Sequence, residues 1–124
     1  AGPAIAARLG AAQGAPMQRL RTLHLGDGRP WRYEDRWVHL AGAHGFETAD
    51  LSQISANEWL VRNAPFTECE MSVGAEPARD AAAMLACDPD TALLLLERAT
   101  WNGRVPITFV RMLSAPGHRM RLRM

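Results

Sequence analysis

The sequence predicts an α+β domain organised around a mainly antiparallel β-sheet. Two turn dipeptides, DG at residues 27–28 and NG at residues 102–103, each separate a pair of apolar, strand-like segments. They are strong β-hairpin signals, because both central residues of a type I′ turn need a positive φ. An internal repeat agrees with them: residues 6–30 and residues 82–106 each contain an Ala-rich helical turn, a loop, an apolar strand and a Gly-Arg turn. The chain is therefore expected to contain two hairpins, each preceded by a helix.

The first half of the chain predicts a helix, a hairpin and a second helix. The initial Ala-rich helical turn ends at Leu9, and the strands of the hairpin are expected at about residues 16–26 and 30–40. Ser55 and Glu58 match the S-x-x-E capping box, in which each side chain satisfies a backbone N–H at a helix start. A short helix is therefore predicted to begin at or one residue after Ser55.

The second half predicts a single strand, a hairpin and a final strand. The segment TECEMSVGAEPA (67–78) alternates well enough for a strand. A helical turn ending at Leu85 precedes the second hairpin, whose strands are expected at 92–101 and 105–113. The last segment, HRMRLRM (118–124), alternates charged and apolar residues and predicts a sixth, half-exposed edge strand.

Composition is that of an ordinary globular protein. The 124 residues are expected to form one domain (1–124), with 48% hydrophobic and 22% charged residues. The net charge of +1 offers no basic surface for DNA, RNA or an anionic membrane. No apolar run approaches the roughly 18 residues that a membrane span needs. Cys69 and Cys87 lack CxxC spacing and predict free thiols in a reducing cytoplasm.

Signals of catalysis are thin. No G-x-S-x-G, P-loop, dinucleotide-binding or zincin motif occurs in the sequence. The four histidines are scattered, without the close spacing to cysteine or carboxylate that a metal site requires. We therefore predict no metal ion and no cofactor.

Polar residues on the predicted strands and helix are the remaining candidates for a site. Glu34 and Arg36 stand two apart in one strand, so both project from the same face, and His24 lies on the hairpin partner of that strand. The pair could be a solvated charge pair, contributing only ~0.5 kcal/mol. Alternatively, both side chains could line a binding cleft. The other polar candidates, at the helix start and along the last hairpin strand, are Ser55, Asn57, Thr108 and Ser114.

Four segments together resemble the UTRA domain. They are RLRTLHLGDGRPWRYEDRWVH, SANEWLVRNAPFTECE, LLLLERATWNGRVPITFVRML and PGHRMRL, and the similarity runs from about residue 4 to the C-terminus. This domain is the effector-sensing module that follows a winged helix-turn-helix in the HutC branch of the GntR-type bacterial transcription regulators. Within that branch, YEDRWV, NEWLVRNAPFTECE and ERATW look most like the histidine-utilisation repressors.

The resemblance implies a chorismate-lyase-like fold with a six-stranded antiparallel sheet and a ligand cleft between the sheet and its flanking helices. It also implies a cytoplasmic homodimer that is not an enzyme and that contacts DNA only through an N-terminal domain absent from this chain. Effector binding would shift the dimer away from the form that binds DNA, releasing the operator.

The residues implied to bind the effector follow from the family motif position by position. Members that sense phosphosugars clamp the phosphate with two arginines, where this sequence has Thr22 and His24. The loss of that clamp argues against a phosphosugar. An unphosphorylated ligand is favoured, and the resemblance to the histidine-utilisation repressors implies urocanate, with its carboxylate expected on Arg36 and its ring N–H on Glu34. The implied ligand-binding residues are His24, Glu34, Arg36, Ser55, Asn57, Thr108 and Ser114.

Two other functions remain open at this point. The chain could sense a different small effector, such as a sugar or another amino-acid derivative. Chorismate lyase has the same fold, so the cleft could instead eliminate pyruvate from chorismate. The sequence also leaves open whether Arg98 and Arg111 face the cleft.

Overall fold

The described part of the chain contains five strands, two α-helices and three short 3-10 helices. The computed structural model describes residues 3–121 and residue 123. The elements, in chain order, are α1 (Pro3–Leu9), β1 (Met17–Gly26), β2 (Arg29–His39), α2 (Ala56–Asn63), β3 (Glu68–Pro77), β4 (Ala92–Asn102) and β5 (Val105–Ser114). The antiparallel sheet has the order β1-β2-β5-β4-β3. The α+β prediction is confirmed, and each predicted hairpin strand lies within one residue of its observed bounds.

The two hairpin turns differ in their backbone conformation. At the first turn Asp27 and Gly28 have φ angles of 53° and 75°, as the type I′ prediction requires. At the second turn Asn102 is still the last residue of β4, and Gly103 alone of that dipeptide has a positive φ, of 58°. The Gly103 N–H donates to Oγ1 of Thr67 at 2.7 Å. The prediction of a positive φ at Asn102 is therefore wrong. The contact of Gly103 with the segment before β3 helps to place the turn one residue later in the chain than predicted.

The end of α1 follows the sequence prediction. The helix ends at Leu9, and Gly10 adopts a φ of 70°. The N–H of Gly10 donates to the carbonyl of Ala7 and that of Ala11 to the carbonyl of Ala6. These two bonds form a Schellman motif, which satisfies carbonyls that the helix end leaves free.

The helix expected before the second hairpin is not an α-helix. Only a 3-10 helix, Arg79–Ala81, forms there, and turns lead on to Ala86, whose φ is 54°. A short run of alanines has good helix propensity, but an isolated helix of this length is marginal without tertiary support. Ala81 and Leu85 are nevertheless buried, so the segment covers the sheet without regular helix.

The predicted sixth strand is absent from the part of the chain that the structure describes. After β5 a turn forms, in which the N–H of His118 donates to the carbonyl of Ala115 and Gly117 has a φ of 85°. Residues 118–121 and 123 form no strand, and Leu122 and Met124 lie outside the described residues. The alternation predicted an edge strand, but a strand also needs a neighbour to pair with. Within the described residues, no helix is long and apolar enough to cross a membrane.

The chain divides into two compact units, and every strand contributes a part to each. The first contains residues up to 20, 36–71 and 98–110, and the second contains residues 21–35, 72–97 and 111 onward. In the first unit, α1 packs against one face of the sheet in a cluster formed by Leu9, Trp37, Ala99 and Phe109. On the other face α2 packs in a cluster formed by Val38, Ala43, Phe46, Ala56, Leu60 and Ile107.

These two clusters share a simple origin in β2. Trp37 and Val38 are consecutive, and successive side chains of a strand point to opposite faces. One strand therefore supplies apolar residues to both helices. In the second unit, Leu93 and Leu113 pack against the buried alanines of the 78–85 segment.

Candidate functional site

Glu34 and Arg36 are both buried on β2. Glu34 is 7% exposed and Arg36 is 1% exposed, which makes Arg36 one of the largest fully buried side chains. A solvated charge pair would have been largely exposed, so this alternative is excluded. Burying a charge is unfavourable unless hydrogen bonds and opposite charges surround it. Each of these two buried side chains therefore needs hydrogen-bonding or charged partners inside the protein.

In the first unit, Arg36 is bonded to a threonine of β5. Its Nη1 donates to Oγ1 of Thr108 at 3.2 Å, and that hydroxyl in turn donates to the carbonyl of Trp37 at 2.8 Å. Thr108 is only 4% exposed, so both bonds are shielded from water. A hydrogen bond from a charged donor in such surroundings is stronger than a neutral one. The Thr108 hydroxyl on β5 therefore links the buried guanidinium of Arg36 to the backbone of β2.

Beside α2 lies a cavity of about 240 Å³, contained within the first unit. Four polar side chains line it: Asn57 from α2, Arg98 and Thr100 from β4, and Thr108 from β5. Its other walls are mainly apolar and include Leu60, Phe66, Met71 and Ile107. Sites for drug-sized ligands measure roughly 300–1,000 Å³. A pocket of the observed size, apolar with a few convergent polar groups, suits a smaller molecule.

The start of α2 holds the polar end of this cavity in place. Ser55 is the N-cap, and its Oγ accepts from the N–H of Glu58 at 3.1 Å, as the capping-box pattern predicts. The Glu58 carboxylate pairs with Arg62 at 2.7 Å. Two residues after the cap, Oδ1 of Asn57 accepts from Nη2 of Arg98 at 2.6 Å. The cap thus positions the amide that orients Arg98.

The second unit contains a separate group of the predicted residues. Nε2 of His24 lies 3.5 Å from Oε1 of Glu34, across the first hairpin. This nitrogen is buried and makes no hydrogen bond to the described residues, so the contact is a close approach of poor hydrogen-bond geometry. The His24 and Trp31 rings are 6.1 Å apart. Ser114, at the end of β5, is buried at 2% exposure.

The seven predicted ligand-binding residues thus fall into different surroundings. Asn57 and Thr108 line the cavity, and Arg36 contacts the cavity wall from behind through Thr108. Ser55 caps the helix that carries Asn57. The remaining three, His24, Glu34 and Ser114, belong to the second unit, and their contact with a ligand stays a prediction.

Sequence reasoning left Arg98 undecided and did not select Thr100. Both line the cavity. One signal was available: Arg98 is a charged residue after the apolar run LLLL, two positions before Thr100, so the two share a strand face. Arg111, the other undecided arginine, instead binds Glu76 at 2.6 Å and Glu97 at 3.0 Å in the second unit.

Comparison with known proteins identifies related transcriptional repressors. The chain is 34% identical over 125 residues to the histidine utilization repressor of Pseudomonas aeruginosa, covering 98% of this chain and 49% of that protein. It is 35% identical over 101 residues to the histidine utilization repressor of Pseudomonas putida, covering 81% of this chain and 40% of that protein. This chain therefore spans about half or less of the length of these relatives.

A solved structure of another histidine utilization repressor is also similar to this chain. The C-terminal domain of the histidine utilization repressor from Pseudomonas syringae pv. tomato superimposes with a TM-score of 0.87 and 30% identity, covering 96% of this chain and 86% of that one. All three relatives are named as histidine utilization repressors. The family model described as UTRA domain matches residues 1–118, and the chain therefore belongs to the UTRA domain family.

Proposed function

We propose that this chain is the effector-sensing domain of a bacterial transcriptional repressor that controls histidine-utilisation genes, and that its effector is urocanate. In the complete protein, an N-terminal winged helix-turn-helix would contact DNA, and the protein would act in the cytoplasm as a homodimer. The names of the relatives support the regulatory role. The choice of urocanate is supported by its chemistry, a planar imidazole joined to an acrylate.

One observation carries the proposal: two residues predicted to bind the effector, Asn57 and Thr108, meet at the cavity beside α2. The predicted cation Arg36 is hydrogen-bonded to one of them. A pocket with a polar end and apolar walls can hold a small planar anion by its carboxylate while its body displaces water from apolar surface.

A thermal-shift screen tests the proposal. The chain is heated alone and with urocanate, histidine or a hexose phosphate at saturating concentration. A ligand at 100 times its dissociation constant adds ~2.7 kcal/mol to the free energy of unfolding. We expect stabilisation by urocanate and none by the hexose phosphate. Stabilisation by the hexose phosphate alone would instead identify a sugar sensor, and urocanate would be wrong.

Dimerisation is supported by apolar side chains that the described residues leave exposed near the sheet edge. Leu25 of β1 and Val73 of β3 are more than half exposed, and β3 is an edge strand with almost every residue exposed. Edge strands and apolar patches of this kind are common places of association. Sedimentation velocity of the chain is expected to give twice the 13.6 kDa mass of one copy. A single species of monomer mass at high concentration would contradict dimerisation through this domain.

Regulation by an effector requires that the effector bind one conformational state of the repressor more tightly than the other. An inducer must bind the state that cannot hold DNA more tightly than the state that can, since equal affinity shifts nothing. Fluorescence anisotropy of the full-length protein on its operator is expected to fall on addition of urocanate. Unchanged anisotropy at saturating urocanate would exclude induction by this ligand.

A further inference from the structure

Arg98 is a half-buried cation that lines the cavity without a carboxylate beside it. Its Nη2 donates to Oδ1 of Asn57, which is a neutral amide. Among residues 3–121 and 123, no acidic side chain forms an ion pair with Arg98. The amide therefore orients the guanidinium but leaves its charge unbalanced.

Arg111 shows how the same fold treats an arginine of similar burial. It lies on β5, the strand that pairs with β4, and its guanidinium contacts the carboxylates of Glu76 and Glu97. A partly desolvated guanidinium is best stabilised by such anionic, hydrogen-bonded partners. Arg98 instead lines the cavity and donates to the neutral amide of Asn57.

The rest of the cavity limits what kind of anion can enter. Its apolar walls include Leu60, Phe66 and Ile107, which favour an apolar or aromatic body over a sugar. The volume of about 240 Å³ restricts the ligand to a small molecule. The planar fork of a guanidinium matches the two oxygens of a carboxylate.

We propose that Arg98 binds the carboxylate of a small monocarboxylic acid with an apolar body in this cavity, with that body between α2 and β5. This proposal rests on the proposed effector-sensing function and deepens it by assigning the ligand anion to β4. It differs from the sequence prediction, which gave the carboxylate to Arg36. Arg36 lies behind Thr108 and is not among the residues that line the cavity.

The experiment compares acids with their methyl esters by calorimetric titration of the 124-residue chain. The acids are urocanate and cinnamate, which share an acrylate and a planar ring. An ester keeps the shape of the ligand and removes its charge. For a ligand held by a charge-assisted bond, we expect the acid to bind about 10- to 100-fold more tightly than its ester.

Two variants locate the charge that the acid meets. Arg98→Met removes the cavity cation, and Arg111→Met is the matched control, because Arg111 is also partly buried but lies outside the cavity lining. We expect Arg98→Met to lose the same 10- to 100-fold for the acid and nothing for the ester. Arg111→Met is expected to bind like the parent chain. Circular dichroism checks that each variant is folded, and the ester comparison on the parent chain needs no variant.

The outcomes separate this inference from the proposed function. Urocanate binding that is unchanged in Arg98→Met, or equal for acid and ester, overturns the role of Arg98 while the effector proposal stands. Binding of cinnamate but not urocanate, lost in Arg98→Met, supports Arg98 and rejects urocanate. Binding of neither acid overturns both.

Discussion

Replacing Thr108 by valine tests the buried connection between Arg36 and the sheet. The two side chains have nearly the same shape, and both are β-branched and suited to a strand. Valine therefore keeps the packing and removes the hydroxyl, which accepts from Arg36 at 3.2 Å and donates to the carbonyl of Trp37 at 2.8 Å.

The expected loss of stability follows from these two bonds. The bond from the charged guanidinium contributes about 1.5–3 kcal/mol and the neutral bond to the carbonyl about 0.5–1.5 kcal/mol. The added methyl group offsets a part of this, about 0.8 kcal/mol. We therefore expect Thr108→Val to lower the free energy of unfolding by about 1–4 kcal/mol. For a chain of 124 residues, this corresponds to a fall of about 4–15 °C in Tm.

Urea unfolding followed by tryptophan fluorescence measures the effect. Thr108→Ser is the matched control, because it keeps the hydroxyl and loses only a methyl group, costing about 1 kcal/mol. The valine variant is expected to be clearly less stable than the serine variant. If valine were as stable as the parent chain, or more stable than serine, the hydroxyl would not hold the buried arginine and the reasoning would be refuted.

Two further substitutions test the framework of the cavity. A Cβ at Gly42 would overlap the carbonyl oxygen of Pro106, so Gly42→Ala is expected to lower the free energy of unfolding by about 1–3 kcal/mol in chemical denaturation. Gly74→Ala serves as the control, because a Cβ there meets open space. Equal losses in the two variants would contradict the close approach at Gly42. Ser55→Ala removes the N-cap bond to Glu58 and is expected to lower the free energy of unfolding by about 1 kcal/mol. Ser55→Asp, whose carboxylate can also cap the helix, is expected to restore most of that loss. An Asp variant as unstable as the Ala variant would argue against capping.

Local signals predicted most of the fold. Turn dipeptides placed both hairpins within a residue of their observed bounds, and Ser55 marked the start of α2, because these features depend on a few neighbouring residues. The predictions of a sixth strand and of an α-helix before the second hairpin were wrong for the opposite reason. Alternation at 118–124 and alanines at 81–83 describe what a segment tolerates, and long-range pairing and packing decide what it forms.

The site was less predictable than the fold. The sequence singled out Glu34 and Arg36, but their burial could not be read from the strand, since charged residues are usually exposed. Arg98 and Arg111 both lie next to apolar residues on strands predicted from the sequence. The sequence pattern alone therefore cannot tell which of them lines a cavity. Only the three-dimensional contacts show that carboxylates pair with one of them and that the other lines a cavity.

A crystal structure of the chain grown with saturating urocanate would test the central claim most directly. The account predicts the ligand in the cavity beside α2, with its carboxylate within hydrogen-bond distance of the Arg98 guanidinium and its ring against Phe66 and Ile107. A ligand bound elsewhere, or an empty cavity at saturating urocanate, would contradict it.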